Sequence, residues 1–473
     1  MALEIENLNK EHLIQGIAIV PQKEAEKFAA KNNVEEFLNE ICPSENSRIR
    51  FFSGAENNLP DKYSLNATKK VYEMCKKLTK DDILLALISG GGSALLTLPL
   101  NINQMNSDEI NFELKLKIIK LIVNSGATIN EVNTVRGCLS NIKSGKLAIC
   151  AHPAKVISLV ISDVIGDPLD IIASGPTYLT DVNAQKTKAW EIIQKYNLEL
   201  QLPHHIVEFL KTRDKALSVL PDLQVFNYLI GNNRVATSSI FNSISEMNYD
   251  FKAILSNSIQ GEAKIIGSIF AFLTYIIIML KNQQITKREI EELSNKFILQ
   301  FKSQSQFLNQ LLIETSDNFN VLKEFLNKLT INNFDHERVS KMCLIGGGET
   351  TVQLNTKHFN IGKSLGGRNM EMSLAFQYVL KSLIAQFKTA KFNDFELIFS
   401  SYGSDGIDGP TDSAGAFILL NANESNKNCE LEEMETFLLE HNSYNYFSKY
   451  DKLIKTGPTG TNVSDLQILL IKF

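Results

Sequence analysis

Two apolar segments of the chain each run into three consecutive glycines flanked by polar residues. The first group is Ser89, Gly90, Gly91, Gly92 and Ser93, and the second is Gly346, Gly347, Gly348 and Glu349. Glycine lets backbone N–H groups approach a ligand closely, and a helix that begins at such a turn directs unpaired N–H groups at an anion. The pattern therefore predicts two phosphate-binding loops, with Ser93 capping the first helical turn. A tight turn without a ligand is the alternative, because the spacing matches neither of the common nucleotide-binding glycine fingerprints.

Three polar residues of the segment 133–147 are spaced for one face of a helix. Arg136, Ser140 and Lys143 follow one another at intervals of four and three residues. This spacing indicates a cationic surface for phosphates or for a substrate carboxylate, to which Arg136 can donate two hydrogen bonds. A solvated basic face explains the same spacing.

Two aspartates follow the apolar segment 156–162. Asp163 and Asp167 would lie at the carboxyl end of a buried strand. One or two carboxylates beside substrate phosphates are what Mg²⁺ prefers, so the pair predicts a magnesium site. An ordinary turn is the alternative, since Gly166 and Pro168 are turn residues.

An arginine stands at the start of a helix predicted over residues 366–387. Gly366, Gly367 and Arg368 would occupy the positive end of the helix dipole. An arginine there adds to the positive field, so the position is typical of an anion site. A plain surface arginine is the alternative.

A second acidic segment follows the strand predicted at 397–400. Asp405 and Asp408 alternate with glycines, but the later ligands of a calcium loop are missing. We expect these two carboxylates to be further Mg²⁺ ligands, on a lobe that faces the first acidic segment across a cleft.

Short apolar runs alternate with helix-length segments along the chain. Strands are predicted at 17–20, 83–89, 156–162, 226–230, 342–345, 397–400 and 466–471, and helices at 65–78, 107–125, 182–196, 234–247 and 366–387. This alternation predicts an α/β fold with parallel sheets covered by helices. In such sheets ligands bind at the carboxyl ends of the strands, where the glycine-rich and aspartate-rich segments lie.

Composition limits the partners of the chain. With 473 residues, 44% of them hydrophobic, the chain can form two domains. Its net charge is −5 and it has no long Lys/Arg cluster, so it has no broad positive field that would attract nucleic acid or an acidic membrane. The apolar segment 265–280 is short for a membrane span, so we expect a buried helix. Neither a signal sequence nor a C-x-x-C pair is visible, and the six scattered cysteines fit a cytoplasmic protein with reduced thiols.

Taken together, the motifs resemble glycerate kinases of the type that ends in a MOFRL domain. The matching segments, which follow the family order, are 54–61, 89–95, 133–147, 162–177, 230–233, 261–263, 346–354, 366–371, 403–416 and 456–465. The resemblance implies phosphorylation of D-glycerate by ATP with Mg²⁺, and an active site in the cleft between a Rossmann-like domain and a smaller C-terminal α/β (MOFRL) domain. With the polar segment 281–338 as a guide, we expect the domains to span residues 1–338 and 339–473.

On the hypothesis of phosphoryl transfer we assign roles to individual residues, and the resemblance itself implies a catalytic role for Arg368. The Gly90 and Gly346 segments would contact ATP, Arg368 would stabilise the transferring phosphoryl group, and Arg136 would hold the substrate carboxylate. We expect 2-phosphoglycerate as the product.

One departure from the family concerns the N-terminus. Family members begin with a strand and a Gly-Lys-Ala turn whose lysine is held to be catalytic, whereas residues 14–20 here already match the next strand. We expect this form to lack that lysine, for which Lys23 and Lys27 are wrongly positioned. Loss of one preorganised cation lowers a rate by roughly 10² to 10³. A catalytically impaired nucleotide-binding form is therefore one alternative function, and a hydroxypyruvate reductase is another.

Overall fold

The computed structural model describes residues 6–7, 11–21, 40–41, 47–55, 59–100, 108–212, 223–283, 305–354, 364–386, 395–421 and 429–473. Lys23 and Lys27 lie outside these ranges. The chain divides into two compact units, Met1–Ile230 and Gly231–Phe473.

The first unit contains short strands and helices in alternation. Its strands are β1 (Gly16–Pro21), β2 (Glu40–Ile41), β3 (Ile49–Gly54), β4 (Ile83–Ile88), β5 (Lys155–Ile161) and β6 (Val225–Gly231), which ends at the unit boundary. Its helices are α1 (Lys62–Cys75), α2 (Gly92–Leu95), α3 (Asp108–Asn124), α4 (Ile129–Cys138), α5 (Lys146–Ala151), α6 (Val182–Lys195) and α7 (His204–Lys211).

The second unit begins with a helix and ends with a strand. Its strands are β7 (Phe251–Ile259), β8 (Lys341–Gly348), β9 (Glu396–Gly403), β10 (Gly415–Asn421), β11 (Leu453–Ile454) and β12 (Asp465–Lys472). Its helices are α8 (Asn233–Ile244), α9 (Ala263–Lys281), α10 (Gln306–Asp317), α11 (Phe319–Ile331), α12 (Arg368–Gln386), α13 (Cys429–Leu439) and α14 (Ser443–Lys449).

Parallel pairing organises the sheets of the first unit. β4 pairs with β5 in parallel within the order β4-β5-β6, and β1 pairs with β3 in parallel. Because the carboxyl ends of β4 and β5 meet at one edge, the residues after Ile88 and after Ile161 lie together. This is the edge at which the first glycine segment and the first acidic segment were expected.

The sheet of the second unit is mixed, in the order β11-β10-β9-β12-β8-β7. Among the strand pairs of this sheet, β7–β8 is parallel. The pairs β8–β12, β12–β9, β9–β10 and β10–β11 are antiparallel. The α/β class is confirmed, but the expectation of parallel strands fails for this sheet. β12 lies between β8 and β9 and runs antiparallel to both of them.

The second triple glycine lies within a strand and not in a loop, contrary to our prediction. Gly346, Gly347 and Gly348 belong to β8, where Gly348 lies opposite Asp465 of β12. In the described residues 349–354 and 364–367, which separate them from α12, no helix begins. A Cβ on Gly347 would overlap the side chain of Asn233, and a Cβ on Gly348 would overlap the backbone of Ile259. The glycines therefore allow close approach by the protein itself.

Two long helices form the centre of the second unit. α9 packs along α12, and Gly267 permits this contact because a Cβ there would overlap the carbonyl oxygen of Met372. α9 is the one described helix long and apolar enough to cross a membrane, but 83% of its most apolar 18-residue window is buried within the protein. It is the buried helix that we predicted.

The domain boundary expected near residue 338 stays a prediction. The compact units divide between Ile230 and Gly231, and β7 shares a sheet with β8 although it precedes residue 338. In the polar segment 281–338 the described part contains α10 and α11, which agrees with the expected helical character.

We predict that Gly348→Ala destabilises the second unit strongly. Gly348 has φ +152°, and an added Cβ would meet the backbone of Ile259, which cannot move without breaking the β7–β8 pairing. Strain and overpacking together should lower the free energy of unfolding by about 3 kcal/mol or more. Urea unfolding followed by circular dichroism measures the loss.

Gly460→Ala is the matched control for Gly348→Ala. Gly460 also has positive φ (+79°) but has no atom within 4 Å of an added Cβ. It should lose only about 1 kcal/mol, the cost of the backbone conformation alone. Equal losses in the two variants would contradict the packing argument.

Candidate active site

The first glycine segment forms a turn between β4 and α2, beside the first acidic segment. Gly91 has φ +78°, and α2 is a single turn. A Cβ on Gly90 would overlap the carboxylate of Asp163. The predicted strand, turn and helix are therefore present, and Asp163 lies against the turn.

Ser93 does not cap α2 as we had predicted. Its hydroxyl lies 2.9 Å from the hydroxyl of Ser174, and the cap of α2 makes no side-chain hydrogen bond. Lys143 Nζ donates to the carbonyl oxygen of Ser93 at 2.6 Å and lies 3.5 Å from Ser174 Oγ. Ala173 and Ser174 have φ of +52° and +63°, a left-handed conformation that costs non-glycine residues free energy and is concentrated at functional sites.

The predicted helical face of Arg136, Ser140 and Lys143 does not form. α4 ends at Cys138, so Ser140 and Lys143 lie in the turns that follow it. Lys146 Nζ donates to the carbonyl oxygens of Gly137, Cys138 and Ser140 and so covers the end of α4. This lysine stabilises the negative end of the helix dipole.

These turns nevertheless gather positive charge, as the sequence predicted. Burial, together with the charges of Lys115 and Arg136, places the pKa of Lys143 well below its usual value. Burial also lowers the pKa of Arg136, whose Nη1 donates to Asn133 Oδ1 at 2.8 Å. Because the charges of Lys115 and Arg136 reach Lys143, the three cations are close enough to attract a common anion.

Arg368 is the centre of the acidic cluster of the second unit. Its Nε donates to Asp465 Oδ2 at 2.7 Å, its Nη2 to Asp465 Oδ1 at 3.0 Å and its Nη1 to Glu349 Oε1 at 2.8 Å. Asp465 is 1% exposed, whereas the side chain of Glu349 is 42% exposed. Burial alone would lower the pKa of Arg368, but the hydrogen bonds and charge of Asp465, with Glu349 and Asp408, raise it.

Asp408 supplies the anion that we expected at the start of α12. Its carboxylate accepts the backbone N–H groups of Asn369 at 3.1 Å and Met370 at 2.8 Å. A Cβ on Gly367 would overlap this carboxylate. Burial raises the pKa of Asp408 to about 7, against the lowering effect of the two N–H groups.

The other acidic residues predicted as metal ligands lie in loops that follow strands. Asp405 accepts the backbone N–H of Ile407 at 3.0 Å within its own turn. Asp163 and Asp167 are half-buried at the carboxyl end of β5, and Asp167 has φ +55°. The described part of the chain contains no group of three or more His, Cys, Asp or Glu side chains that could hold a metal ion.

The site residues predicted from the sequence thus fall into two groups, one in each unit. Gly90, Ser93, Lys143 and Asp163 come together in the first unit, and Glu349, Gly367, Arg368 and Asp408 in the second. Asp465, Ser174 and Lys146 were missed as site residues. Asp465 lay at the end of a segment already matched to the family, which was the available signal.

Comparisons with known proteins cover nearly the whole chain. Residues 1–211 match a family model described as a domain of unknown function (DUF4147), and residues 342–465 match the MOFRL family model. A Rattus norvegicus protein named glycerate kinase is 33% identical over 476 residues, which cover 99% of this chain and 82% of that protein. A Thermotoga maritima protein named D-glycerate 2-kinase is 30% identical over 417 residues, which cover 88% of this chain and 79% of that protein.

A solved structure also aligns along the chain. The crystal structure of a glycerate kinase from Thermotoga maritima matches with a TM-score of 0.67 and 27% identity, covering 99% of this chain and 87% of that one.

We predict that Asp465→Asn destabilises the second unit far more than Glu349→Gln does. Both carboxylates bind Arg368, but only Asp465 is buried and bidentate. Breaking a buried ion pair leaves a charge without its partner and should cost about 3 to 5 kcal/mol, against at most about 1 kcal/mol for the exposed pair. Urea unfolding of both variants tests this, and similar losses would contradict it.

We predict that the charge of Asp408 makes the protein less stable as the pH rises from 5 to 7. The folded-state pKa of about 7 lies above the ordinary 3.8, so the folded state binds more protons in this window and unfolding becomes easier with rising pH. Between pH 5 and pH 7, the free energy of unfolding of the wild type should fall by roughly 2 kcal/mol more than that of Asp408→Asn.

The control for Asp408→Asn is Asp451→Asn at an exposed position. Its pH dependence should follow that of the wild type. If Asp408→Asn also follows the wild type, Asp408 does not titrate in this range.

Proposed function

The chain belongs to the glycerate kinase family, and on that premise we propose that it transfers the γ-phosphoryl group of ATP to a hydroxyl group of D-glycerate. The observation that carries the proposal for this chain is the fixed position of Arg368 at the start of α12. Its hydrogen bonds to Asp465 and Glu349 take three of the five guanidinium N–H donors and leave two that the described residues do not take. A guanidinium held in this way is preorganised for a developing phosphoryl charge.

Phosphoryl transfer needs alignment and neutralisation more than a strong base, because its transition state is loose. We assign contacts with ATP to the turn Ser89–Ser93 and keep the contacts of Gly346–Glu349 with ATP as a prediction. The backbone of Gly91 is in a left-handed conformation, which leaves N–H groups of the turn free to face an anion. Whether one triphosphate meets these residues and Arg368 together stays a prediction.

Mg²⁺ is part of the proposal, and the donor set of the first unit fits it. Asp163 and Asp167 are two half-buried carboxylates at a strand end beside the glycine turn, and Mg²⁺ takes one or two carboxylates in addition to phosphates and water. When bound, the ion would neutralise phosphate charge. Asp408 fits poorly because its carboxylate already caps α12, and Asp405 stays a prediction.

We assign the carboxylate of D-glycerate to Arg136. Its guanidinium is positioned by Asn133, and it lies in a group of cations that includes Lys143. An arginine can hold a carboxylate with two hydrogen bonds, which would orient the neighbouring hydroxyl. We propose the 2-hydroxyl as the acceptor, as the name of the Thermotoga maritima relative indicates for that protein.

We place this activity in the cytoplasm. Cys75, Cys138, Cys150 and Cys343 are thiols and not disulfides, and burial raises the pKa of Cys75 to about 12, which keeps its thiol protonated and unreactive.

The proposal predicts ATP-dependent phosphorylation of D-glycerate that depends on Arg368. Purified protein with isotopically labelled ATP and Mg²⁺ should yield labelled phosphoglycerate, and phosphorus NMR should identify the 2-phosphate. Arg368→Lys should lower kcat by about 10² to 10³, because a lysine cannot hold both carboxylates and also meet the phosphoryl group. Circular dichroism verifies that the variant is folded.

Arg338→Lys is the matched control, since Arg338 is an exposed arginine of the same unit with an ion pair to Asp335. It should keep wild-type activity. Oxidation of NADH with hydroxypyruvate and no phosphate transfer would favour the reductase. Tight binding of ATP without turnover would favour the impaired form.

A further inference from the structure

A small cavity in the first unit is lined by two polar side chains whose N–H groups are unsatisfied. Asn111 and Lys115 lie one turn apart on α3 and line the cavity with Leu139, His205 and Ile206. Each of the two polar residues is only 6% exposed. Within the described part of the chain, neither Lys115 Nζ nor Asn111 Nδ2 has a hydrogen-bond partner.

Unsatisfied buried donors of this kind are costly. A buried polar group without a hydrogen bond destabilises a protein, and a buried ammonium without a counter-charge destabilises it far more. Both groups line the same cavity, and both lack a hydrogen-bond acceptor. The cavity therefore has the donors of a binding site without its acceptor.

The charges around the cavity are positive. Burial, together with the charges of Lys146 and Arg136, lowers the pKa of Lys115 to about 7. Lys115 in turn acts on Lys143. His205 on α7 is the titratable group that lines the cavity from the opposite element. A water molecule would satisfy the N–H groups but would not offset this charge, whereas an anion would do both.

The size of the cavity selects among anions. The centre of a water-sized sphere can move through about 10 Å³ of the cavity. A cavity of this volume has room for about one water-sized particle. This small space favours a small anion over a phosphate or a carboxylic acid substrate. A monatomic halide is the anion whose size comes closest to that of water.

We propose that Lys115 Nζ and Asn111 Nδ2 bind a single small monovalent anion of the chloride class, at a site separate from the glycine turn. The anion offsets the repulsion among Lys115, Lys146 and Arg136 and so stabilises the first unit. The site does not depend on the kinase activity.

The test replaces gluconate with chloride at constant ionic strength and follows thermal unfolding of the full chain. At pH 6.5 the wild type should gain on the order of 2 to 4 °C when chloride exceeds its Kd several-fold. Lys115→Met should show no such gain. This variant should fold, because replacing a buried unpaired charge by an apolar side chain of similar size is neutral or stabilising.

Lys117→Met is the matched control, because Lys117 is an exposed lysine on the same helix. It should keep the full response to chloride. Asn111→Leu should weaken the response, since one of the two donors is lost. If the wild type does not respond, or if Lys115→Met responds as the wild type does, the proposal is wrong.

Two further measurements separate this site from a general salt effect. Crystals grown with bromide should show anomalous scattering in the cavity beside Lys115, and a peak only elsewhere would overturn the proposal. The Kd for chloride should also rise by about tenfold or more between pH 6 and 8.5, because the neutral amine of Lys115 loses its attraction for the anion. A constant Kd over this range would exclude Lys115 as the charged partner.

Discussion

The buried, bidentate hydrogen bonding between Arg368 and Asp465 is the interaction on which the second unit depends. It joins the first residue of α12 to the first residue of β12 across 97 positions of the chain. Asp465 is almost completely buried, and Arg368 offsets its charge with two parallel hydrogen bonds. Because the buried charge of Asp465 is costly without Arg368, the pair fixes the end of the central helix against the central strand of the sheet.

The glycines of the second unit follow from this constraint. Asn233 donates to the carbonyl oxygens of Val463 and Asp465, and its side chain lies where a Cβ of Gly347 would be. Asp408 caps α12 where a Cβ of Gly367 would be. Each glycine thus makes room for a polar side chain that holds Arg368 or its helix in place. Glycine-rich segments of this kind resemble ligand loops in sequence although their first role is internal packing.

Much of the fold and part of the site could be predicted from the sequence. The seven predicted strands and the predicted helices are present within a few residues, because buried apolar runs and helical periodicity are local signals. β7 was missed because Ser256, Asn257 and Ser258 interrupt its apolar pattern, and the glycines of β8 were assigned to a loop because glycine usually weakens strands. The partnership of Arg368 with Asp465 could not be predicted, because no local pattern relates residues so distant in the chain.

The two units differ in the groups that surround their buried cations. In the second unit carboxylates of the protein offset the charge of Arg368, and Asp408 caps its helix, so the protein itself supplies the counter-charges there. In the first unit the charge of Arg136 helps to lower the pKa of both Lys115 and Lys143. Arg136 donates to a side-chain amide, and Lys143 donates to a backbone carbonyl and lies beside a hydroxyl. Neutral partners satisfy hydrogen bonds but do not offset charge. The anion that we propose for the first unit would supply the counter-charge that these neutral partners do not provide.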